Sequence, residues 1–422
     1  MDTSVSAPPL ERRLKASLSR RRLMVGAVLL AALALALYGP GLWTRYQDSR
    51  MQKMTAADLQ ALVKQQPGNT QALYRLGVAY ARENRFHEAT HTFLAVLEKE
   101  PVRADVMNDL GVTYLMQERY YESLTALNGA LTARPDYAAA LANLGRLHLA
   151  TKMPFTAVRD LEHAVKSDPS DVAAWCDLGE AYERTLNLRS AKRSYQTAVA
   201  LDSRYLRAYV GLGKAEYSLA QYAEAEQTLS RALALSPEDG QTLLTLARLH
   251  LEKAITDADL QAVQQLLQHA ARADPDNPDI WFDQGRVALR RGKPTEAIDF
   301  LTKTLRMSPD HVPAMHQLER ALRAAGRTAD ADHVARIFQE RSLREREETH
   351  LEEVMAHDPQ DWDSQARLTK IYLQSGKRGL ALLLFRRILQ GSPHQRDLPQ
   401  IQQMLNRQFA PSPSVPAGTK AP

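Results

Sequence analysis

The sequence predicts an all-α solenoid of about nine helix-hairpin units, preceded by one transmembrane helix. Three observations predict it. Prolines recur at Pro67, Pro101, Pro135 and Pro169, each 34 residues after the last. Glycines keep the same interval at Gly77, Gly111, Gly145, Gly179 and Gly213, and a fixed period in this range marks stacked supersecondary units. Finally, Leu23 to Trp43 is a run of 21 uncharged, mostly apolar residues.

One period, residues 70–103, explains the spacing. Leu73, Leu76, Gly77 and Tyr80 fall three or four apart, on one face of a helix. A turn follows at 83–85, then Ala89, Phe93 and Val96 mark a second helical face that Pro101 ends. Glycine, without a Cβ, lets two helices approach closely, which outweighs its poor helix propensity. The small Ala89 acts likewise, and Phe93 and Tyr80 are expected to fill the space between neighbouring units. One such hairpin cannot bury its apolar face alone, so the units must stack.

The same slots recur as Met107, Leu110, Gly111, Tyr114, Ser123, Leu127, Ala130 and Pro135, and as Leu141, Leu144, Gly145, His148, Ala157, Leu161, Ala164 and Pro169. They recur again as Trp175, Leu178, Gly179, Tyr182, Ala191, Tyr195 and Ala198, with Ser203 in the proline slot, and as Tyr209, Leu212, Gly213, Ala225, Leu229, Ala232 and Pro237. This spacing resembles the tetratricopeptide repeat (TPR), a bulky residue, Leu-Gly and an aromatic followed by Ala, Phe, Ala and Pro. The resemblance implies a superhelical solenoid. Trp175, Tyr209 and Trp281 occupy the bulky slot and are expected in the core.

Residues 1–22 form a basic tail that holds +4 of the chain's net charge of +5. The basic balance therefore does not describe the body of the protein and does not point to nucleic acid. As a helix, residues 23–43 would span about 31 Å, enough for a hydrocarbon core of about 30 Å. Tyr38, Trp43 and Tyr46 cluster at its far end as an interfacial belt. The charge bias places the N-terminus in the cytoplasm and the repeats across an inner membrane, periplasmic in a bacterium. Ala34-Leu35-Ala36 as a signal-peptidase site and Ser19 to Leu23 as a loose twin-arginine signal are the rival readings. An uncleaved anchor is preferred because the apolar run continues to the aromatic belt.

Residues 44–66 are a juxtamembrane stretch and an N-terminal capping helix, with Thr55 and Asp58 as its cap. Units one to five fill 70–239. Unit six, 240–277, carries four extra residues near 254–259, expected to lengthen its turn; units seven and eight fill 278–340. Unit eight is degenerate, with Met315, Leu318, Ala331 and Phe338 in place but Glu319 in the glycine slot. A charged inserted helix is expected within 341–361. The last unit and a capping helix, the latter started by Asp397 and facing inward with Leu398, Ile401 and Leu405, fill 362–409. Residues 410–422, with four prolines, are expected to be a disordered tail.

In the family this resembles, the first helix of each unit lines a concave groove that grips peptides, and the residue after the glycine slot looks inward. Here those residues are Val78, Val112, Arg146, Glu180, Lys214, Arg248, Arg286, Arg320 and Lys370. Six of the nine are basic, in a chain with 54 Lys and Arg among 422 residues. Arg290 and Arg323 extend the same side. Tyr74, Val78, Asn108, Val112, Leu115 and Met116 give the first two units a more apolar character. The expectation is a two-part groove for a protein or peptide partner with an acidic or C-terminal carboxylate end, since Arg grips carboxylates bidentately. The competing reading is a solvated face on which Glu180, Glu183, Glu252 and Asp279 offset the charge.

Chemistry finds little support. No Gly-rich phosphate loop, HExxH or Gly-x-Ser-x-Gly occurs. His87 and His91 could share a metal, and Glu347, Glu348, His350, Glu353 and His357 resemble a ligand cluster, but exposed positions and a salt-bridged helix explain them better. The single cysteine, Cys176, excludes an internal disulfide and is expected near the groove as a small filler. The reading is a non-catalytic, membrane-anchored scaffold without cofactor or metal, acting in envelope assembly, secretion or maturation of an exported protein. Its alternative is an accessory regulatory subunit of a membrane enzyme, such as one of polysaccharide synthesis or export, engaged through the anchor and the convex surface.

Overall fold

A computed structural model describes residues 48–409, and among them every regular element is a helix. The expected tail, the 23–43 segment and residues 410–422 lie outside the described residues. Among those described, no helix is long and apolar enough to cross a membrane. The chain divides into two compact bodies between Pro101 and Val102.

The first body holds the helix Ala56–Gln65 and the pair Thr70–Arg82 and Phe86–Lys99. Thr55 and Asp58 form the expected reciprocal cap. Phe93 is fully buried, and its ring occupies the place where a Cβ on Gly77 would fall, 2.6 Å away. It therefore packs within its own pair, where the sequence had suggested a space between units.

The second body contains eight further pairs. Repeats 2 to 5 are Ala104–Met116 with Tyr120–Ala133, Ala138–Ala150 with Pro154–Ser167, Val172–Arg184 with Leu188–Leu201, and Leu206–Ser218 with Tyr222–Leu235. Repeats 6 to 9 are Gly240–Lys253 with Asp257–Ala273, Pro278–Arg290 with Pro294–Met307, Val312–Ala324 with Thr328–His357, and Trp362–Gln374 with Arg378–Gly391. The helix Leu398–Phe409 follows and buries Leu398, Ile401 and Leu405. The slot alanines Ala157, Ala191, Ala225, Ala297, Ala331 and Ala381 are all 0% exposed. Ser123, in the same slot, donates to the carbonyl of Gly111 at 2.7 Å, so its hydroxyl is satisfied without widening the contact.

Three expectations need correction. The four extra residues of repeat 6 do not lengthen its turn, which is three residues long like the others. They extend its helices to 14 and 17 residues, from 13 and 14 in repeat 5. Thr256 and Asp259 form a reciprocal cap that starts the second helix early. Residues 341–357 do not form a helix of their own: they continue the second helix of repeat 8, which runs 30 residues without a break. Nothing between 328 and 357 is Gly or Pro, so nothing stops it. Trp175 and Trp281 are only half-buried, and each donates its indole N–H to the proline carbonyl six residues earlier, at 3.0 Å. Tyr209 is buried as expected.

From repeat 2 to repeat 8 the first helices pack on one another directly, and the second helices pack on the first helices of adjoining repeats. That asymmetry curves the array with its first helices inside. The curvature brings the chain back on itself: Arg378–Gly391 of repeat 9 packs against Tyr120–Ala133 of repeat 2. Lys152 and Lys377 both donate to Glu348, each at 2.5 Å. Gln390 donates to the hydroxyl of Tyr121 at 2.5 Å, and Arg386 pairs with Glu122 at 3.3 Å. Gly379 sits so close to repeat 2 that a Cβ there would lie 2.8 Å from the Glu118 carbonyl oxygen.

Candidate partner-binding face

The inner face of the second body is crossed by polar side chains that link one repeat to the next. Asn143 donates to the Asn108 side-chain amide oxygen at 2.8 Å, and Arg146 donates to the side-chain oxygen of Asn143 at 2.7 Å. Arg146 then reaches Asp177 of the following repeat at 2.5 Å, and Arg207 of the next pairs with the other Asp177 oxygen at 2.6 Å. Arg207 also holds Glu180, which accepts from Arg184. Farther along, Arg248 bonds Asp283 at 2.5 Å and Asp279 at 3.0 Å, while Arg286 bonds Asp283 at 2.8 Å. Asp177 and Asp283 have side chains only 2% and 1% exposed, so each buried carboxylate is held by two guanidinium groups.

Charge on this face follows from those pairings. Burial works against the Arg248 cation, but Asp283 and Asp279 hold its pKa above the usual range. The His311 hydrogen bond and the Arg248 charge hold Asp279 down at about 2, against its own burial. Lys214 is different. It lies between the two networks, half-buried, with no hydrogen bond or ion pair among the described residues, and burial pushes its pKa down despite the Glu183 charge.

Two family models described as tetratricopeptide repeat match this chain, one over residues 56–89, 82–138 and 176–240, the other over 254–322. The chain carries tetratricopeptide repeats. Among solved structures, a TPR protein from Parabacteroides merdae is 16% identical and covers 60% of this chain and 98% of its own, with a TM-score of 0.51. PilF of Pseudomonas aeruginosa is 19% identical, covering 50% of this chain and 95% of its own, at a TM-score of 0.43. YrrB, described as a TPR protein with an unusual peptide-binding site, is 20% identical, covering 46% of this chain and 97% of its own, at 0.34. The likeness to the Parabacteroides merdae protein shows the fold alone. No curated protein matches the chain.

The residues expected to line the TPR groove fall into three groups. Tyr74 and Val78 lie half-buried on the first body; Tyr74 packs its ring 6.1 Å from that of Phe93. On the second body Asn108 is buried in the polar network, Val112 and Leu115 are half-buried, and Met116 is 58% exposed. Among the basic positions, Arg146, Arg248 and Arg286 are engaged as above. Arg290 donates to the carbonyls of Leu251 and Ala254, Arg323 pairs with Glu319 and Asp332, and Lys370 pairs with Asp397 at 2.9 Å. Arg320 is exposed and bonds only the neutral Gln317. Most of the basic ladder is thus spent within the TPR array, leaving Lys214 and Arg320 without a carboxylate partner among the described residues.

Sequence reasoning missed Asp177, Arg207, Asp283 and His311. The available signal was an acid three residues before Arg286 and one 31 residues after Arg146, about one period on. Cys176 is fully buried rather than at the groove, and burial pushes its thiol up to about 12. His87 and His91 are exposed. Glu347 pairs with Arg367, Glu348 with two lysines, and His357 bonds the carbonyl of Glu353. Among the described residues, no three His, Cys, Asp or Glu are placed to hold a metal ion.

Proposed function

We propose that this protein is a non-catalytic scaffold that holds a protein or peptide partner on the inner face of its TPR array. The observation that carries the reading is the pair of cations without a carboxylate partner among the described residues, Lys214 and Arg320, on a face whose other ladder cations are held by carboxylates or backbone carbonyls. A carboxylate-bearing partner would relieve the unfavourable burial of Lys214 without breaking an existing bond. The 21-residue apolar run after a basic tail supports a single-pass anchor at 23–43, with the array on the far side of an inner membrane. Envelope assembly, secretion or exported-protein maturation are the settings this arrangement suits.

The test is affinity capture from gently solubilised membranes with the natural chain and with Lys214→Gln/Arg320→Gln. Loss of a specific partner with a melting temperature no lower than the natural chain's supports the inner-face reading; identical captures refute it. Alkaline carbonate extraction tests the anchor, since a spanning helix stays with the membrane pellet and a released protein does not.

A second reading has its own support. Because the ladder arginines are mostly consumed by Asp177, Asp283 and backbone carbonyls, the inner face also serves as internal structure. An accessory regulatory subunit of a membrane enzyme, bound through anchor and convex surface, would leave both captures identical.

A further inference from the structure

Where the array meets itself, the second body encloses a cavity of about 220 Å³. Its walls come from the turns of repeats 3 and 4, the distal half of the long helix and the second helix of repeat 9. Met153, Pro154, Phe155, Leu186, Met355 and Pro359 make the walls largely apolar. Phe155 and Leu186 both line the cavity and remain 51% and 84% exposed. Leu186 is also held at φ +59, a backbone region where glycine would be cheaper.

Arg387 lies in this lining. Its guanidinium donates to the Pro359 carbonyl at 3.0 Å and has no carboxylate partner, although it is half-buried. Burial alone lowers its pKa, and no acid offsets that. The other lining charges are committed or at the rim: Lys152 to Glu348 and Glu352, Glu352 also to the Tyr372 hydroxyl, Arg184 to Glu180, and Glu353 exposed. A cation without a carboxylate partner in a small, largely apolar chamber is a recognition site for a group that supplies both the anion and the apolar body. A dry cavity of about 150 Å³ already accepts a benzene-sized ligand, so this one has room for a ring or short alkyl chain and a carboxylate.

We infer that this cavity binds a small apolar monocarboxylate, its carboxylate on Arg387 and its hydrocarbon against Met153, Phe155, Leu186 and Met355. The site shares Arg184 with the inner-face network but includes neither Lys214 nor Arg320, and it touches repeats 3, 4, 8 and 9 together. Its ligand therefore braces the junction at which the array closes.

The experiment is calorimetric titration of the full purified chain with 3-phenylpropionate and, in parallel, with 3-phenylpropionamide. Saturable binding of the acid, weakened at least tenfold in the amide and in Arg387→Met, with a raised melting temperature for the acid alone, is the expected result. Equal binding of acid and amide to the natural chain, or no saturable binding of the acid, overturns the assignment and needs no variant. A hexapeptide ending in a free phenylalanine carboxylate that binds more tightly than 3-phenylpropionate overturns the small-molecule assignment. Lys214→Gln/Arg320→Gln should bind the acid unchanged, so failure of the inner-face reading and failure of this one are distinguishable.

Discussion

Gly379→Val tests whether the array is closed by the contact between repeats 9 and 2. A Cβ at 379 would sit 2.8 Å from the Glu118 carbonyl oxygen and 2.8 Å from the Tyr120 ring, where ordinary contact begins near 3.4 Å. The helix must retreat by roughly 0.6 Å, which forfeits about a quarter to a half of the dispersion attraction across the junction. Forcing such a branched side chain into a packed contact costs about 1–3 kcal/mol. Valine improves on glycine as a helix former by less than about 0.5 kcal/mol, so the steric cost wins. Closure should weaken by about fivefold to about 140-fold, since 1.4 kcal/mol is about a factor of ten. Spin labels at Asn128→Cys and His394→Cys, both exposed, report the separation by double electron–electron resonance; native Cys176 is buried and should not label. The natural chain should give one narrow distance, and the variant a second, longer population. A single unchanged distance with an unchanged melting temperature would refute the reasoning.

Three other expectations follow from the same structure. Asp283→Asn removes the buried carboxylate shared by Arg248 and Arg286 and should cost about 3 kcal/mol in urea unfolding, because both part-buried cations lose their shortest ion pair and keep only Asp279 and Glu252, at 3.0 and 3.5 Å; a change below a few tenths would deny that network a role. Ala220→Gly, at φ +57 in an open turn, should stabilise by up to about 1 kcal/mol, the usual left-handed penalty for a side chain; a loss of stability would contradict it. Lys214→Met should be as stable as the natural chain or more so at neutral pH, since folding depresses this lysine's pKa and so disfavours its charged form. That penalty is full below the folded pKa and disappears as pH rises toward the unfolded value near 10.5, so the melting-temperature gap should close between those limits. A gap that widens with pH would reverse the assignment.

What could be read in the sequence is what each repeat decides locally. Gly145 faces Leu161 and Gly179 faces Tyr195 within single pairs, so the spacing of small and large residues discloses the packing directly. The inner-face ladder was half legible: its basic residues recur at one slot, but Arg146 finds Asp177 at 31 residues and Arg248 finds Asp283 at 35. Whether such a charge is free depends on the tilt between repeats, which a linear pattern does not encode. Closure was not legible at all. It depends on curvature accumulated over repeats 2 to 9 and on the uninterrupted helix to His357 that sets where the last pair lands. The cavity beside Arg387 exists only because of that landing.

The junction also has a consequence for how the molecule folds. An open array of helical hairpins is built from neighbours in sequence and can assemble from any point outward. Here Tyr121 must find Gln390 across 269 positions. Loop closure over such a span is entropically unfavourable until the intervening repeats have already set the curvature. Helix formation in each pair should therefore be fast, and the joining of the two ends a later kinetic phase of its own. Ribosomal synthesis imposes the same order, because repeat 9 emerges last and repeat 2 must wait for it with its contact surface uncovered.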